Sequence, residues 1–326
     1  MQTYLGSATA VAHPNIAFIK YWGNCEAETR IPANGSISMN LGGLETRTSV
    51  KFDSDLDSDH LTLNGEVAPK YALDRVSDFM SLVRDLSGFR HNALIESQNN
   101  FPMGAGIASS ASAFAALALA ASAAAGLTLD EAALSRLARK GSGSACRSIP
   151  GGYVEWHADG CDPDSGAASI APPEYWDLWD CVAIVHRGHK SVGSTEGHAL
   201  AYTSPFQGVR VAGAPQRLAQ CRNALLARDF QAFAEIVELD NHLMHAVMMT
   251  STPPLLYWQP ATLTIMHAVE SWRGEGIAAC YTIDAGPNVH VICEKENLEV
   301  VEARLRSIPG VEDVIVAHRG GGARLV

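Results

Sequence analysis

The stretch FPMGAGIASSASAF, residues 101–114, consists mainly of Gly, Ala and Ser. A turn of such small residues that leads directly into a helix leaves backbone N–H groups unpaired, and the positive end of the helix dipole points at them, which suits a phosphate group. Ser109 and Ser110 add two hydroxyls. The stretch lacks both the P-loop pattern and the dinucleotide-binding fingerprint. A phosphate site and a small-residue helix packed against a sheet therefore both stay open as interpretations.

The segment that contains this stretch has no charged residue from Phe101 to Leu129. Membrane-spanning helices are normally rich in large apolar side chains, whereas this segment is dominated by Ala, Gly and Ser. Small side chains allow helices and strands to approach closely inside a protein. The segment therefore predicts a buried helix and not a membrane span.

Composition and charge restrict the possible partners. With 326 residues, 47% hydrophobic and 18% charged, the chain is long enough for two globular domains. The formal net charge of −11 argues against nucleic acid or an anionic membrane as a partner, because both favour basic surfaces. If the substrate is anionic, the cations that bind it must be few and local.

The cysteine pattern indicates the compartment. The seven cysteines are odd in number and contain no CxxC pair, so the sequence predicts scattered reduced thiols and no disulfide framework or zinc site. The N-terminal residues lack the basic start and apolar run of a signal peptide. Both observations favour a cytoplasmic protein.

Hydrophobic periodicity predicts an α+β protein with mixed sheets and packed helices. Strands are predicted at residues 36–41, 46–52, 60–64, 92–97, 151–156, 181–186, 279–284, 289–294 and 312–317. Helices are predicted at residues 72–86, 214–228, 230–249, 261–274 and 297–307. A further helix is predicted to start from a capping box formed by Thr128 and Glu131 and to end near Gly141. The Gly-, Pro- and Asp-rich segment 158–178 is predicted to be a surface loop near a domain boundary.

Three polar residues occur in unusual settings. Arg147 is the only charged residue of the small-residue stretch GSGSACRS, residues 141–148. Lys20 interrupts an apolar strand pattern, where it could extend to the surface or be held inside to meet an anion. Asp284 ends a strand that reads as buried, where it could form a turn or carry chemistry.

Six segments, taken together and in order, resemble the mevalonate diphosphate decarboxylase group of the GHMP kinase superfamily. They are NIAFIKYWG, IPANGSISMNL, FPMGAGIASSASAF, GSGSACRSIPGGYVEW, STPP and YTIDAGPNV, and they extend over essentially the whole chain. The resemblance implies a two-domain GHMP kinase fold. A ribosomal-S5-like N-terminal domain (residues 1–180) and a ferredoxin-like C-terminal domain (residues 181–326) would enclose the active site in the cleft between them.

The resemblance also implies a reaction. ATP phosphorylates the tertiary 3-hydroxyl of a phosphorylated mevalonate, the new phosphate leaves, CO2 is lost and an alkene forms. The implied cofactors are ATP and Mg2+, and the implied assembly is a cytoplasmic homodimer. The nearest alternatives are a kinase that stops at phosphorylation and a non-catalytic ATP-binding sensor.

Residue roles follow from the matching motifs. The resemblance implies catalytic roles for Asp284, Lys20 and Arg147, with Arg147 holding the C1 carboxylate of the substrate. Further substrate contacts are implied for Tyr21, Asn24, Arg75, Ser142, Gly143 and Ser144. ATP binding is assigned to Ser97, Gly104, Gly106, Ala108, Ser109 and Ser110, with the small residues at 104–110 around the phosphates, and the metal ion is assigned to Ser109 and Ser110.

Two departures from the family pattern bear on the substrate. Asn24 stands where diphosphate-specific enzymes generally have lysine, and the loop at 190–197 has no arginine where bacterial relatives tend to carry one. Fewer cations suit a less charged substrate, because desolvating an unpaired charge is unfavourable. The sequence therefore favours 5-phosphomevalonate, converted to isopentenyl phosphate, with mevalonate 5-diphosphate as the alternative.

Overall fold

The computed structural model describes residues 6–102, 107, 109–158, 160–188 and 193–326. The strands are β1 (Ser7–Ala12), β2 (Asn15–Ile19), β3 (Asn24–Glu26), β4 (Ile31–Pro32), β5 (Ser36–Gly42), β6 (Thr46–Asp53), β7 (His60–Leu63), β8 (Glu66–Val67), β9 (Asn92–Asn99), β10 (Tyr153–Trp156), β11 (Ala167–Ala171), β12 (Leu178–Ile184), β13 (Ala279–Thr282), β14 (Val289–Glu294), β15 (Asp313–Arg319) and β16 (Arg324–Leu325). The α-helices are α1 (Lys70–Ser87), α2 (Ser109–Ala124), α3 (Glu131–Gly141), α4 (Ser194–Leu200), α5 (Gln207–Ala212), α6 (Ala214–Ala227), α7 (Phe230–Met249), α8 (Pro260–Gly274) and α9 (Leu298–Arg306). Short 3-10 helices lie at Gly143–Ser148, Ala201–Thr203 and Lys295–Asn297.

A six-stranded sheet in the N-terminal half has the order β16-β1-β6-β9-β7-β8. Alternate residues of β6, among them Val50 and Phe52, are buried against helices α1 and α2, as the period of a half-buried strand requires. Helix α2 is buried along most of its length, and its Ala and Ser side chains permit close packing on the sheet. The predicted buried helix is thereby confirmed. No helix among the described residues is long and apolar enough to cross a membrane.

The second sheet continues through both halves of the chain. Its strand order is β11-β10-β5-β15-β12-β14-β13, with β2 also paired to β5. The link between the halves is the antiparallel pair of β15 with β5, in which Arg319 lies opposite Leu41. Helices α6 and α7 pack on one face of the C-terminal strands, and helices α8 and α9 pack on the other. The predicted division at residues 180/181 falls inside β12 and stays a prediction.

Two predictions about local structure were wrong. Helix α3 begins at Glu131 and its N-cap is Asp130, whose carboxylate accepts a hydrogen bond of 2.7 Å from the Ala133 N–H, so Thr128 forms no capping box. An aspartate directly before the first turn is as good a cap as threonine and lies closer to the unpaired N–H groups. The predicted loop 158–178 contains strand β11, which pairs at the sheet edge with β10.

The prediction of reduced thiols was also wrong for two cysteines. Cys25 and Cys161 form a disulfide with a Cα–Cα distance of 5.9 Å, while the other five cysteines are free and buried. The bonded residues are separated by 136 positions, and cysteine counts and local spacing do not report on such a contact. The disulfide connects the β3–β4 hairpin to the loop after β10.

A buried ion network attaches strand β2 to helices α5, α6 and α7. The Asp240 carboxylate accepts hydrogen bonds from the backbone N–H of Lys20 at 2.6 Å and from Nε of Arg217 at 2.7 Å. Arg210 donates to the carbonyl of Lys20 at 2.6 Å. Asp240 is completely buried, and the two arginines are nearly so. Because the network holds both backbone groups of Lys20, it fixes the end of β2.

The change Asp240→Asn is expected to destabilise the protein by about 3–5 kcal/mol, since it leaves buried arginine charge without its counterion. The amide nitrogen of the new side chain would also face an N–H donor. The free energy of unfolding, measured by urea titration, tests this. Asp74→Asn is the control, because it breaks an exposed pair with Lys70 and should change stability by no more than about 0.5 kcal/mol. Equal effects of the two changes would contradict a structural role for the network.

Candidate active site

A cleft of about 350 Å³ lies between the two halves of the chain. The N-terminal half lines it with residues from the end of β2, the start of α2 and the 3-10 helix at Gly143–Ser148. The C-terminal half contributes residues from α4, α7 and the turn after β13. With Arg30 of the β3–β4 hairpin and Arg75 of α1 also in its lining, the cleft collects residues from eight separate segments of the chain.

Lys20 and Asp284 form an ion pair at the centre of this cleft. The Lys20 Nζ to Asp284 Oδ1 distance is 2.6 Å, and the lysine side chain is 2% exposed while the aspartate side chain is 30% exposed. Lys20 therefore does not extend to the surface, and its charge is held inside for Asp284. The two residues are 264 positions apart and meet because β2 and β13 lie against each other, with Thr282 donating to the carbonyl of Ala17.

Electrostatics keep Asp284 ionised. Burial alone raises the pKa of the Asp284 carboxyl, but the charges of Lys20, His290 and Arg147 outweigh it, and the net pKa lies below its ordinary value. Burial lowers the pKa of Lys20, and the neighbouring carboxylate opposes that shift. Asp284 is consequently a carboxylate that can accept a hydrogen bond or a proton from a group in the cleft.

Arg147 is a buried cation with a free edge. Its Nε and Nη2 donate to Asn15 Oδ1 at 3.3 and 3.1 Å, and its Nη1 donates to Ser36 Oγ at 2.7 Å. A guanidinium has five N–H donors, so one N–H on each terminal nitrogen is left over by the described residues. Within those residues no carboxylate lies within 4.0 Å of Arg147. This geometry fits a planar carboxylate that binds both terminal nitrogens.

The small residues before Arg147 are required by close packing. A Cβ on Gly143 would lie 2.5 Å from the Tyr21 ring, and a Cβ on Gly141 would collide with the Phe114 ring. Both glycines thus let neighbouring aromatic rings approach the backbone. Ser144 also lines the cleft.

The start of helix α2 faces the same cleft. Ser109 and Ser110 both line it, and Ser110 Oγ lies 3.2 Å from Ser142 Oγ, which connects α2 to the small-residue turn. A 16-residue helix whose first turn faces a cleft provides N–H donors and a positive dipole end for an anion. The predicted phosphate-binding residues Gly104, Gly106 and Ala108 lie outside the described residues.

Two of the predicted site residues lie away from the cleft lining. Ser97 is on β9, pairs with Thr48 at an Oγ–Oγ1 distance of 3.0 Å, and lines a separate cavity of about 40 Å³. Asn24 accepts a hydrogen bond from the Tyr21 hydroxyl, so it holds the ring of a residue that lines the cleft. Tyr21 itself lines the cleft, as does Arg75, which donates to the carbonyl of Gly141 at 2.7 Å.

Sequence reasoning missed several residues of the cleft. Arg30 lines it, although in the sequence it is only the lone cation between Lys20 and Arg47. His198 of α4 also lines it and packs on Tyr21 with a ring separation of 4.2 Å. The isolated Arg30 was a detectable signal of the same kind as Arg147, whereas the position of His198 depends on a helix that the sequence pattern did not predict.

Comparisons with known proteins agree with the motif order. A model of the diphosphomevalonate decarboxylase-like N-terminal domain matches residues 12–167, and a model of the mevalonate 5-diphosphate decarboxylase C-terminal domain matches residues 181–319. The diphosphomevalonate decarboxylase mvd1 of Aspergillus fumigatus is 37% identical over 93% of this chain and 80% of that protein. The diphosphomevalonate decarboxylase of Saccharomyces cerevisiae is 35% identical over 95% of this chain and 84% of that protein.

Solved structures match along nearly the whole chain. Mevalonate diphosphate decarboxylase from Staphylococcus aureus has a TM-score of 0.93 and 37% identity, covering 99% of this chain and 98% of that one. A complex of MDDEF with MVAPP, AMPPCP and magnesium has a TM-score of 0.92 and 38% identity, covering 99% of each chain. The predicted α+β GHMP kinase fold is thereby confirmed. Since the two family models and the curated relatives together extend over almost all of the sequence, this protein belongs to the diphosphomevalonate decarboxylase family.

Proposed function

We propose that the protein catalyses the ATP-dependent decarboxylation of mevalonate 5-diphosphate. The products are isopentenyl diphosphate, ADP, phosphate and CO2. The observation that carries the proposal is that a buried Lys20–Asp284 pair and the free edge of Arg147 line the same cleft as the start of α2. These groups match the hydroxyl, the carboxylate and the phosphate donor that the reaction must bring together.

The diphosphate replaces the monophosphate that the sequence alone favoured. The curated relatives cited above are diphosphomevalonate decarboxylases, and the cited structural relatives carry the same substrate in their names or complexes. The cations missing at position 24 and at residues 190–197 favour a monophosphate only if Arg30 is left out of the count. With Arg30 and Arg75 in its lining, the cleft offers an anionic substrate more positive charge than positions 24 and 190–197 alone indicate.

Arg147 is proposed to hold the C1 carboxylate. A buried guanidinium without a carboxylate partner is costly, and a substrate carboxylate on its two remaining N–H groups would offset that cost. Asn15 and Ser36 fix the plane of the guanidinium and therefore the orientation of the carboxylate. A fixed carboxylate orients the C1–C2 bond that must break.

Asp284 is proposed to receive the proton of the substrate 3-hydroxyl. The hydroxyl oxygen then attacks the γ-phosphorus of ATP, and ADP leaves. Lys20 keeps Asp284 ionised beforehand and lies beside the oxygen on which charge develops. When the C3–O bond to the new phosphate breaks, the electrons of the C1–C2 bond form the C2–C3 double bond and CO2 departs.

The start of α2 is proposed to bind the ATP phosphates. Phosphoryl transfer depends mainly on positioning and charge stabilisation, which the helix N-terminus, Ser109 and Ser110 can supply. Magnesium usually retains waters and binds through substrate phosphates and a few protein oxygens, so the two hydroxyls fit it. A bound Mg2+ ion would neutralise charge on the phosphates. The homodimer and cytoplasmic location implied by the resemblance stay predictions.

The change Asp284→Asn should lower kcat by about 10^2 to 10^4-fold, because an amide cannot accept the proton. CO2 release from mevalonate 5-diphosphate and ATP measures turnover, and calorimetry should still detect substrate binding. Asp78→Asn, on the exposed face of α1, is the control and should leave kcat unchanged. Turnover near that of the unmodified enzyme in Asp284→Asn would rule out the catalytic assignment.

The change Arg147→Lys should reduce kcat/KM by about 10- to 100-fold although the charge is kept. An ammonium cannot make the paired bonds of a guanidinium, and a hydrogen bond to a charged group contributes about 1.5–3 kcal/mol. Steady-state kinetics test this, with Arg136→Lys on α3 as the matched control. Unchanged kcat/KM would mean that Arg147 only supports the turn in which it lies.

The unmodified enzyme should have a higher kcat/KM for mevalonate 5-diphosphate than for 5-phosphomevalonate. One further charge-assisted contact to the terminal phosphate would give a preference of about tenfold or more. Parallel CO2-release assays with both substrates measure this ratio. A preference for the monophosphate would restore the interpretation based on Asn24, and ADP formation without CO2 would indicate a kinase.

A further inference from the structure

Arg30 lies at the turn end of the hairpin formed by β3 and β4. Its backbone φ is +55°, in the left-handed region that side chains other than glycine rarely adopt. Its side chain nevertheless lines the cleft that contains Lys20 and Arg147. Unusual backbone conformations of this kind often occur where a functional side chain has to be directed.

A second arginine lies beside it. Arg30 Nε donates to the carbonyl of Lys140 at 3.1 Å, and Arg75 Nη2 donates to the next carbonyl, that of Gly141, at 2.7 Å. Burial, together with the neighbouring charge of Arg30, lowers the pKa of Arg75 to about 10. No carboxylate in the described part of the chain lies within 4.0 Å of either guanidinium. Two guanidiniums held together without a counterion form a site for a multiply charged anion.

The position of this arginine pair matches one end of the substrate. Arg147 is 3% exposed, whereas Asp284 and Arg30 are both partly exposed. Mevalonate carries its carboxylate at C1, its hydroxyl at C3 and its phosphate groups at C5. If Arg147 binds C1 and Asp284 meets the 3-hydroxyl, the phosphate groups at C5 extend away from Arg147, and Arg30 and Arg75 are the other guanidiniums in the cleft lining.

The hairpin that carries Arg30 is firmly attached. The disulfide between Cys25 and Cys161 connects one strand to the loop after β10, and Arg139 Nε donates to the carbonyl of Thr29 at 3.1 Å. Asn24, on the same hairpin, is neutral and binds the Tyr21 hydroxyl. The hairpin thus presents a cation from position 30 and none from position 24.

From this arrangement we infer that Arg30 binds the terminal phosphate of the substrate and determines the preference for a diphosphate over a monophosphate. The inference rests on the proposed function. Arg75 of α1, which donates to the carbonyl of Gly141, then also contacts the phosphate groups. The cation that Asn24 does not supply comes from the opposite end of the same hairpin.

The test is the ratio of kcat/KM values for mevalonate 5-diphosphate and 5-phosphomevalonate. Arg30→Gln should lower kcat/KM for the diphosphate about 10- to 100-fold, mainly through a higher KM, and change the value for the monophosphate less than about threefold. Arg30→Lys should retain part of the preference. Arg47→Gln, an exposed arginine on β6, is the matched control and should leave both values unchanged.

The ratio is insensitive to the fraction of folded enzyme, because that fraction cancels between the two substrates. If Arg30→Gln does not fold, the selectivity of Arg30→Lys decides the question. Equal losses for both substrates would mean that Arg30 only supports the hairpin, and an unchanged ratio would also overturn the inference. An unmodified enzyme that converts neither substrate would overturn the proposed function itself.

Discussion

The hydrogen bond between the Asp240 carboxylate and the backbone N–H of Lys20 is the contact on which the site depends. It joins the longest helix of the C-terminal half to the last residue before the aromatic pair Tyr21 and Trp22. Arg210 and Arg217 neutralise Asp240 in a region without solvent, and Arg210 also binds the Lys20 carbonyl. Since both backbone groups of Lys20 are held, the direction of its Cα–Cβ bond is fixed, and its Nζ reaches Asp284. The two halves of the cleft are thus aligned by the same contact that orients the ion pair.

The distribution of cations explains how an acidic protein can bind an anionic substrate. The formal net charge is −11, yet four cationic side chains line one cleft: Lys20, Arg30, Arg75 and Arg147. Only Lys20 has a carboxylate partner within 4.0 Å in the described part of the chain, so three guanidiniums present unmatched positive charge. Desolvated charges of this kind are retained where a ligand completes them. The acidic remainder of the surface opposes non-specific binding of nucleic acids and other polyanions.

Most secondary structure followed from local patterns, and each failure has a physical explanation. Helix α7 was predicted at the residues it occupies, because its apolar spacing is continuous and its ends are clear. Strand β11 was missed because the Gly, Pro and Asp signals around it dominate a five-residue strand. The disulfide between Cys25 and Cys161 was missed because it joins distant segments. The cation count behind the monophosphate prediction did not include Arg30, since no motif includes it.

The sequence by itself determined the fold class, the family resemblance and the positions of Lys20, Asp284 and Arg147 in their motifs. Those properties follow from periodicity and from segments of consecutive residues, which act through local geometry. Only the tertiary structure decided that Lys20 is buried against Asp284, that Arg147 keeps two N–H groups for a ligand, and that Arg30 belongs to the cleft. Each of these depends on contacts between segments far apart in the chain, and burial and pairing of a charge are decided by such contacts.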